Sequence, residues 1–320
     1  MQKTSLLVVL VSFYSSVLPM LKALTLPSYK LEAKMPAELE GVFGIECFGD
    51  AEKEIFVTCS QGIIRRWQIG TRKAFEVKLK ENTSRIVGET LLNVSGTTFL
   101  HCVPEKNLTR FVWGDKSVSV KTHPETSVGS LVKHNGKVVG ADYLHVNVWD
   151  ESLNLLKQIY TGASCNAVVP TYDENIVLVS QPLKKTVLAV NVETYEVEPI
   201  LFRDSELFDV NCMCMLDKDH VAIGKTHGSV SIYNIRSKQR TVSFDFGDRN
   251  ILALANVGSD MLAVGTEISD VGIYNWRNGE QVQLIEDEAS RCVWSLKALD
   301  NNRLAVGTDR FLKVYNLSVQ

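Results

Sequence analysis

The sequence predicts an all-β fold in which repeated four-stranded antiparallel units close into a ring, and three observations carry that expectation. Three C-terminal stretches copy one another: VAIGKTHGSVSIYNI from Val221, LAVGTEISDVGIYNW from Leu262 and LAVGTDRFLKVYNL from Leu304. Their Tyr-Asn pairs, Tyr233-Asn234, Tyr274-Asn275 and Tyr315-Asn316, recur every 41 residues, a period that marks stacked supersecondary units. Within one period, alternating runs bounded by turn residues cover Ala253 to Val257, Met261 to Gly265, Val271 to Trp276 and Gln281 to Ile285. Such runs read as strands, and four short strands per repeat make one blade of a β-propeller.

The elements follow in chain order. Residues 1–23 form an apolar N-terminal segment with Lys3, a hydrophobic run from Leu6 to Leu18 and a break at Pro19. It resembles a secretory signal without a clear small-residue cleavage pair, and it is short of the roughly 20 residues that a membrane span needs. A cleaved signal, a helix packed on the domain or lying on a membrane surface, and a start placed upstream of the true one all stay open. Residues 24–320 are expected to be one propeller, with 24–40 supplying a closing strand and the blades running from about 41 to 320.

Counting backwards from the three clear copies, equivalent positions fall at Val190, Trp149, Trp113 and Trp67, separated by 41 to 46 residues except for a 36-residue step around the second unit. Seven units result, and the 280 residues from Gly41 to Gln320 allow 40 for each. The first strand of unit one is expected over Val42 to Cys47. The seventh unit runs only through its third strand, Leu312 to Leu317, which would leave a sheet edge unpaired. The extended segment Ser28 to Ala33 is therefore expected to pair there and close a seven-bladed ring.

The repeats resemble those of the WD40-repeat family. TCSQGIIRRWQI follows that family's third-strand signature through Trp67, the C-terminal copies match with Tyr for Trp and Asn for Asp, and Trp149-Asp150 spells the dipeptide itself. The resemblance spans about Gly41 to Leu317 and implies a rigid disc that binds other proteins. The chain departs from the family in having no Gly-His dipeptide, and a turn Asp is matched only at Asp142, Asp270 and Asp309. Its blades are therefore expected to be held mainly by apolar packing between neighbours.

Composition narrows the function. With 34 basic and 37 acidic residues the net charge is -3, so no bulk positive field would attract nucleic acid. Seven cysteines sit singly, apart from Cys212 and Cys214, a pattern that suits free thiols in a reducing, cytoplasmic setting. Cys212 and Cys214 share a strand face, but no second cysteine pair or histidine spacing completes a metal site, and no metal or cofactor is expected. Four glycosylation sequons, at Asn82, Asn93, Asn107 and Asn316, are too small an excess over chance to argue for secretion. No nucleophile elbow, phosphate loop or zinc-protease motif occurs, and the six histidines are scattered, so no catalytic residue is assigned.

The links between units carry the candidate site. The link after unit four holds Asp204, Glu206 and Asp209; that after unit five holds Asp248 and Arg249, with Asp245 just before it; that after unit six holds Glu286, Asp287, Glu288 and Arg291. Equivalent links share one face of a propeller, so these residues form an expected partner-binding rim whose acidic excess suits a basic segment. The expected function is a non-catalytic scaffold, a monomeric ring within a larger complex, touching a membrane only if the N-terminal segment is retained. The alternative is a secreted or lumenal propeller that binds a glycan or small ligand or acts as a hydrolase.

Overall fold

A computed structural model describes residues 29–36, 41–48, 55–60, 63–68, 73–78, 90–96, 98–102, 107–113, 118–200, 210–268, 270–286, 290–299 and 302–317. The apolar segment 1–23 lies outside them. The described chain is all-β apart from one 3-10 turn, Pro182–Lys184, and no described helix is long and apolar enough to cross a membrane.

Strand β1 (Lys30–Pro36) precedes the first blade. Blade 1 contains β2 (Gly44–Phe48), β3 (Ile55–Ser60), β4 (Ile63–Gln68) and β5 (Lys73–Lys78). Blade 2 contains β6 (Thr90–Ser95), β7 (Thr98–Cys102), β8 (Asn107–Trp113) and β9 (Val118–Ser127). Blade 3 contains β10 (Ser130–His134), β11 (Lys137–Ala141), β12 (His145–Asp150) and β13 (Leu155–Tyr160). Blade 4 contains β14 (Val168–Pro170), β15 (Ile176–Gln181), β16 (Thr186–Asn191) and β17 (Val197–Ile200). Blade 5 contains β18 (Val210–Met215), β19 (His220–Lys225), β20 (Ser229–Asn234) and β21 (Gln239–Asp245). Blade 6 contains β22 (Ile251–Gly258), β23 (Met261–Thr266), β24 (Val271–Asn275) and β25 (Glu280–Ile285). The chain finishes with β26 (Val293–Leu299), β27 (Arg303–Thr308) and β28 (Phe311–Asn316).

The expectation of seven blades is corrected to six. Six sheets are each made of four consecutive strands, whereas the remaining four-stranded sheet has the order β1-β28-β27-β26 and is assembled from both ends of the chain. Counting repeats along the sequence could not distinguish a blade of continuous chain from this composite closing sheet. The first strands of successive blades are neighbours, and β26 neighbours β2, so the ring is continuous through the closing sheet.

The closing pair has the expected partners with shifted bounds. Strand β1 begins at Lys30 rather than Ser28 and runs antiparallel to β28 from Lys30 opposite Asn316 to Pro36 opposite Phe311, with an irregularity between Leu31 and Ala33. Ala33 and Met35 turn inward onto Leu312, Val314 and Trp67. Val42 N–H donates to Thr308 O at 2.8 Å, Ser295 Oγ donates to Val42 O at 2.8 Å, and Lys297 Nζ reaches Glu46 Oε1 at 3.0 Å. These bonds join the closing sheet to blade 1.

The Tyr-Asn signature has a local physical explanation. Tyr233, Tyr274 and Tyr315 stand opposite the second residue of the preceding strand, Val221, Leu262 and Leu304, and are buried between sheets. The next residue ends the strand and caps the following turn by accepting backbone N–H groups, the usual role of Asn or Asp there. Asp150 Oδ1 accepts from Ser152 and Asn154, Asn191 Oδ1 from Glu193 and Thr194, Asn234 Oδ1 from Ser237, and Asn275 Oδ1 from Arg277. The Asn316 side chain bonds to the closing strand: its Nδ2 donates to Glu32 Oε1 at 3.2 Å. In blade 2 the position equivalent to these aromatics is Phe111, paired with Phe99 and stacked on it at 5.4 Å, not the expected Trp113.

Apolar clusters span blades 2 and 3, 3 and 4, 4 and 5, 5 and 6, blade 6 and the closing sheet, and the closing sheet and blade 1. Polar bonds cross the same boundaries: Asn211 Nδ2 donates to Ile251 O at 2.8 Å, Asn256 Nδ2 to Leu216 O at 2.7 Å, and Lys137 Nζ to Val192 O at 2.9 Å. The repeat glycines permit this close approach. A Cβ on Gly224 would lie 2.6 Å from Ile251 Cγ2, and one on Gly265 would lie 2.5 Å from Val293 Cγ1.

Candidate partner-binding rim

Strands in a blade alternate in direction, so the links between blades and the turns joining second to third strands share one face of the disc. Asp245, at the end of β21, is exposed and accepts from Gly247 N–H at 2.7 Å, which shapes the link into blade 6. Asp248 and Arg249 follow on that link, and Glu286 and Arg291 stand on the link into the closing sheet; all four are exposed. Asp204, Glu206, Asp209, Asp287 and Glu288 lie outside the described residues.

The structure adds acids that sequence reading did not assign to the rim. Glu267 and Asp270 sit in the second turn of blade 6, and Asp309 sits in that of the closing sheet. Two of the three are knit to the links: Asn250 Nδ2 donates to Glu267 Oε2 at 2.8 Å, Glu267 N–H donates to Asn250 O at 3.1 Å, and Arg291 N–H donates to Asp309 Oδ1 at 2.8 Å. His227 N–H, from the second turn of blade 5, donates to Asn250 Oδ1 at 3.2 Å. Asp270 and Asp309 stood out in the sequence only as turn aspartates. Their periodicity with the links was the signal that could have placed them here.

Among the described solvent-reaching residues on this arc, Asp245, Asp248, Glu267, Asp270, Glu286 and Asp309 outnumber Arg249, Arg291 and Arg310. The Cys292 thiol reports the resulting field: burial pushes it up first, and the charges of Asp309 and Glu267 push it further against the opposing effect of Arg291. Nearby, Tyr274 stacks on Phe244 at 4.8 Å and meets Phe246 at 5.2 Å, filling the wedge between blades 5 and 6 under Arg249.

Asp142 and Asp217 are built into turns. Asp142 Oδ1 accepts from Leu144 and His145 N–H at 2.8 and 2.6 Å, and its Oδ2 accepts from Asn147 Nδ2 at 3.1 Å. Asp217 does the same for Asp219 and His220, while His220 packs 5.3 Å from the Trp276 ring. Burial works to raise the Asp217 carboxyl, but hydrogen bonds from Asp219 and His220, with the charge of His220, hold it below the usual carboxylate range. Cys165, Cys212, Cys214 and Cys292 are free thiols; Cys47 and Cys59 carry side chains outside the description. Cys212 and Cys214 do share a face, but burial raises both thiols, that of Cys214 to about 11, which leaves them protonated at neutral pH.

No family model and no curated protein matches the chain. The β-propeller architecture therefore rests on the strand pairing itself.

Proposed function

We propose that the protein is a non-catalytic cytoplasmic scaffold, a divergent relative of WD40-repeat proteins, that presents its link face to protein partners. The arc over blades 5 and 6 and the closing sheet receives a basic segment of one such partner. The observation that carries this reading is the acidic excess at Asp245, Asp248, Glu267, Asp270, Glu286 and Asp309, which sequence reading had found only in part. Bonds hold the Asp245, Glu267 and Asp309 carboxylates in place, so a partner need not order these three on binding. The free thiols of Cys165, Cys212, Cys214 and Cys292 support a reducing compartment.

The test is affinity purification with the intact protein beside Asp245→Lys, Asp248→Lys and Glu286→Lys combined. Partners retained by the first and lost by the second at low salt, with an unchanged unfolding midpoint, support the reading. Identical partner sets for the two proteins overturn it.

A further inference from the structure

The opposite part of the disc has a different surface. Ten large hydrophobic side chains are exposed among the described residues, and seven of them belong to blades 3 and 4. Four of these, Tyr143, Tyr160, Leu183 and Val197, stand near the wedge between those blades, and Tyr160 and Leu183 are 70% and 76% exposed. A concentration of this kind on a folded surface marks an interaction site more often than chance exposure.

The same wedge contains an open cavity of about 460 Å³, with Tyr160, Gln181, Lys184, Leu188, Val197 and Pro199 among its walls. Its shape is fixed by bonds across the two blades. The Gln181 amide is 1% exposed and donates to Thr161 O at 3.2 Å and Ala163 O at 3.3 Å, pinning the link from blade 3 onto blade 4. Thr161 N–H and its hydroxyl both donate to Leu144 O at 2.8 Å, so the turn that bears Tyr143 is tied to the same wall.

Among the described residues, the charge held at the mouth is positive. Lys184 Nζ donates to Thr161 O at 3.0 Å, which holds the ammonium at the opening while its other N–H groups remain available, and Lys185 follows it on the exposed turn. The nearby acids are turned away or occupied: Asp142 spends both oxygens inside its own turn, and Glu198 reaches Lys238 of blade 5. The wedge therefore combines an apolar cavity, an apolar surround and a fixed cation.

The geometry points to a docking site for a segment of a partner protein that inserts one large apolar side chain between blades 3 and 4 and pairs a neighbouring Asp or Glu with Lys184. This site is separate from the acidic arc and takes ligands of opposite charge. Selection of a displayed random-decapeptide library on the full-length protein tests it, followed by synthesis of the enriched peptides and titration against variants. Enriched peptides with an aromatic or aliphatic residue beside an acid, weakened at least tenfold by Val197→Glu and by Lys184→Glu, are expected. Peptides with Lys in place of that acid should recover binding to Lys184→Glu.

Three results overturn the assignment. The selection yields no binder; the peptides bind both variants as well as the original; or their binding is lost in the combined Asp245, Asp248 and Glu286 reversal instead, which places them on the acidic arc. Sedimentation covers a second copy of the chain: a dimer that Val197→Glu converts to monomer assigns the wedge to self-association and also overturns the peptide site.

Discussion

The arc over blades 5 and 6 and the wedge of blades 3 and 4 share a scaffold but treat solvent oppositely. On the arc, wedge space is filled from within by Phe244, Phe246 and Tyr274, and the rim is left to carboxylates. Between blades 3 and 4 the space stays open, and apolar groups remain at its mouth around Lys184. Equivalent positions of a repeated unit have thus been spent in one region on packing and in the other on a cavity. The difference teaches where selectivity can reside in such a disc: in the residues that fill, or fail to fill, the outer wedge.

Gly265→Val should damage the arc most, because its side chain would enter the space of Val293 on β26. Overpacking of this kind costs about 1–3 kcal/mol. A lowered denaturant midpoint is expected, with binding at the wedge of blades 3 and 4 retained in the folded fraction; loss of both sites together would show that the two regions are not independent. The reciprocal change is Gln181→Ala, which removes the amide that pins Thr161 and Ala163. Its cost should be about 1–2 kcal/mol, felt by peptides at the wedge and not by a basic ligand at the rim.

Salt separates the two regions without mutation. Screening lengths shorten from about 10 Å at 0.1 M to about 3 Å at 1 M ionic strength, so binding at the exposed carboxylate rim should weaken steeply across that range. Binding that depends on an apolar side chain in the wedge should change several-fold less. Equal salt slopes in parallel titrations would dissolve the distinction.

The smallest effect concerns pH and lies on the opposite face. Asp217 is held below the usual carboxylate range, so its contribution to stability is present above the unfolded value, about 3.9, and is lost as pH falls through the lower folded value. Asp217→Asn should make urea midpoints less sensitive to acidification below about pH 4 while leaving both binding regions intact. An unaltered pH dependence would assign that sensitivity to other carboxylates.

Much of the ring was legible because Tyr233, Tyr274 and Tyr315 recur with a capping Asn, and because a strand without a neighbour at β28 demanded a partner. Two details were not. Trp113 and Phe111 are two residues apart, so the period-two alternation of a strand could not choose between them; only pairing with Phe99 does. The composite closing sheet looks like any other repeat when units are counted along the chain. For the rim, the links announced Asp245, Asp248 and Glu286, whereas Glu267 and Asp309 come from turns within sheets and meet the links only in three dimensions. The wedge was invisible, since Leu188 and Val197 read as ordinary strand residues until one proves buried and the other open.

The bond between Glu32 and Asn316 joins positions 284 residues apart. Strand β1 precedes the six continuous blades in the chain and must wait for β28, which follows them, before its hydrogen bonds to that strand can form. Closure of the disc thus depends on a pairing between strands that lie on either side of all six continuous blades in the chain. Contacts so distant in sequence slow folding, so the late docking of β1 should set the time at which both binding regions acquire a rigid frame.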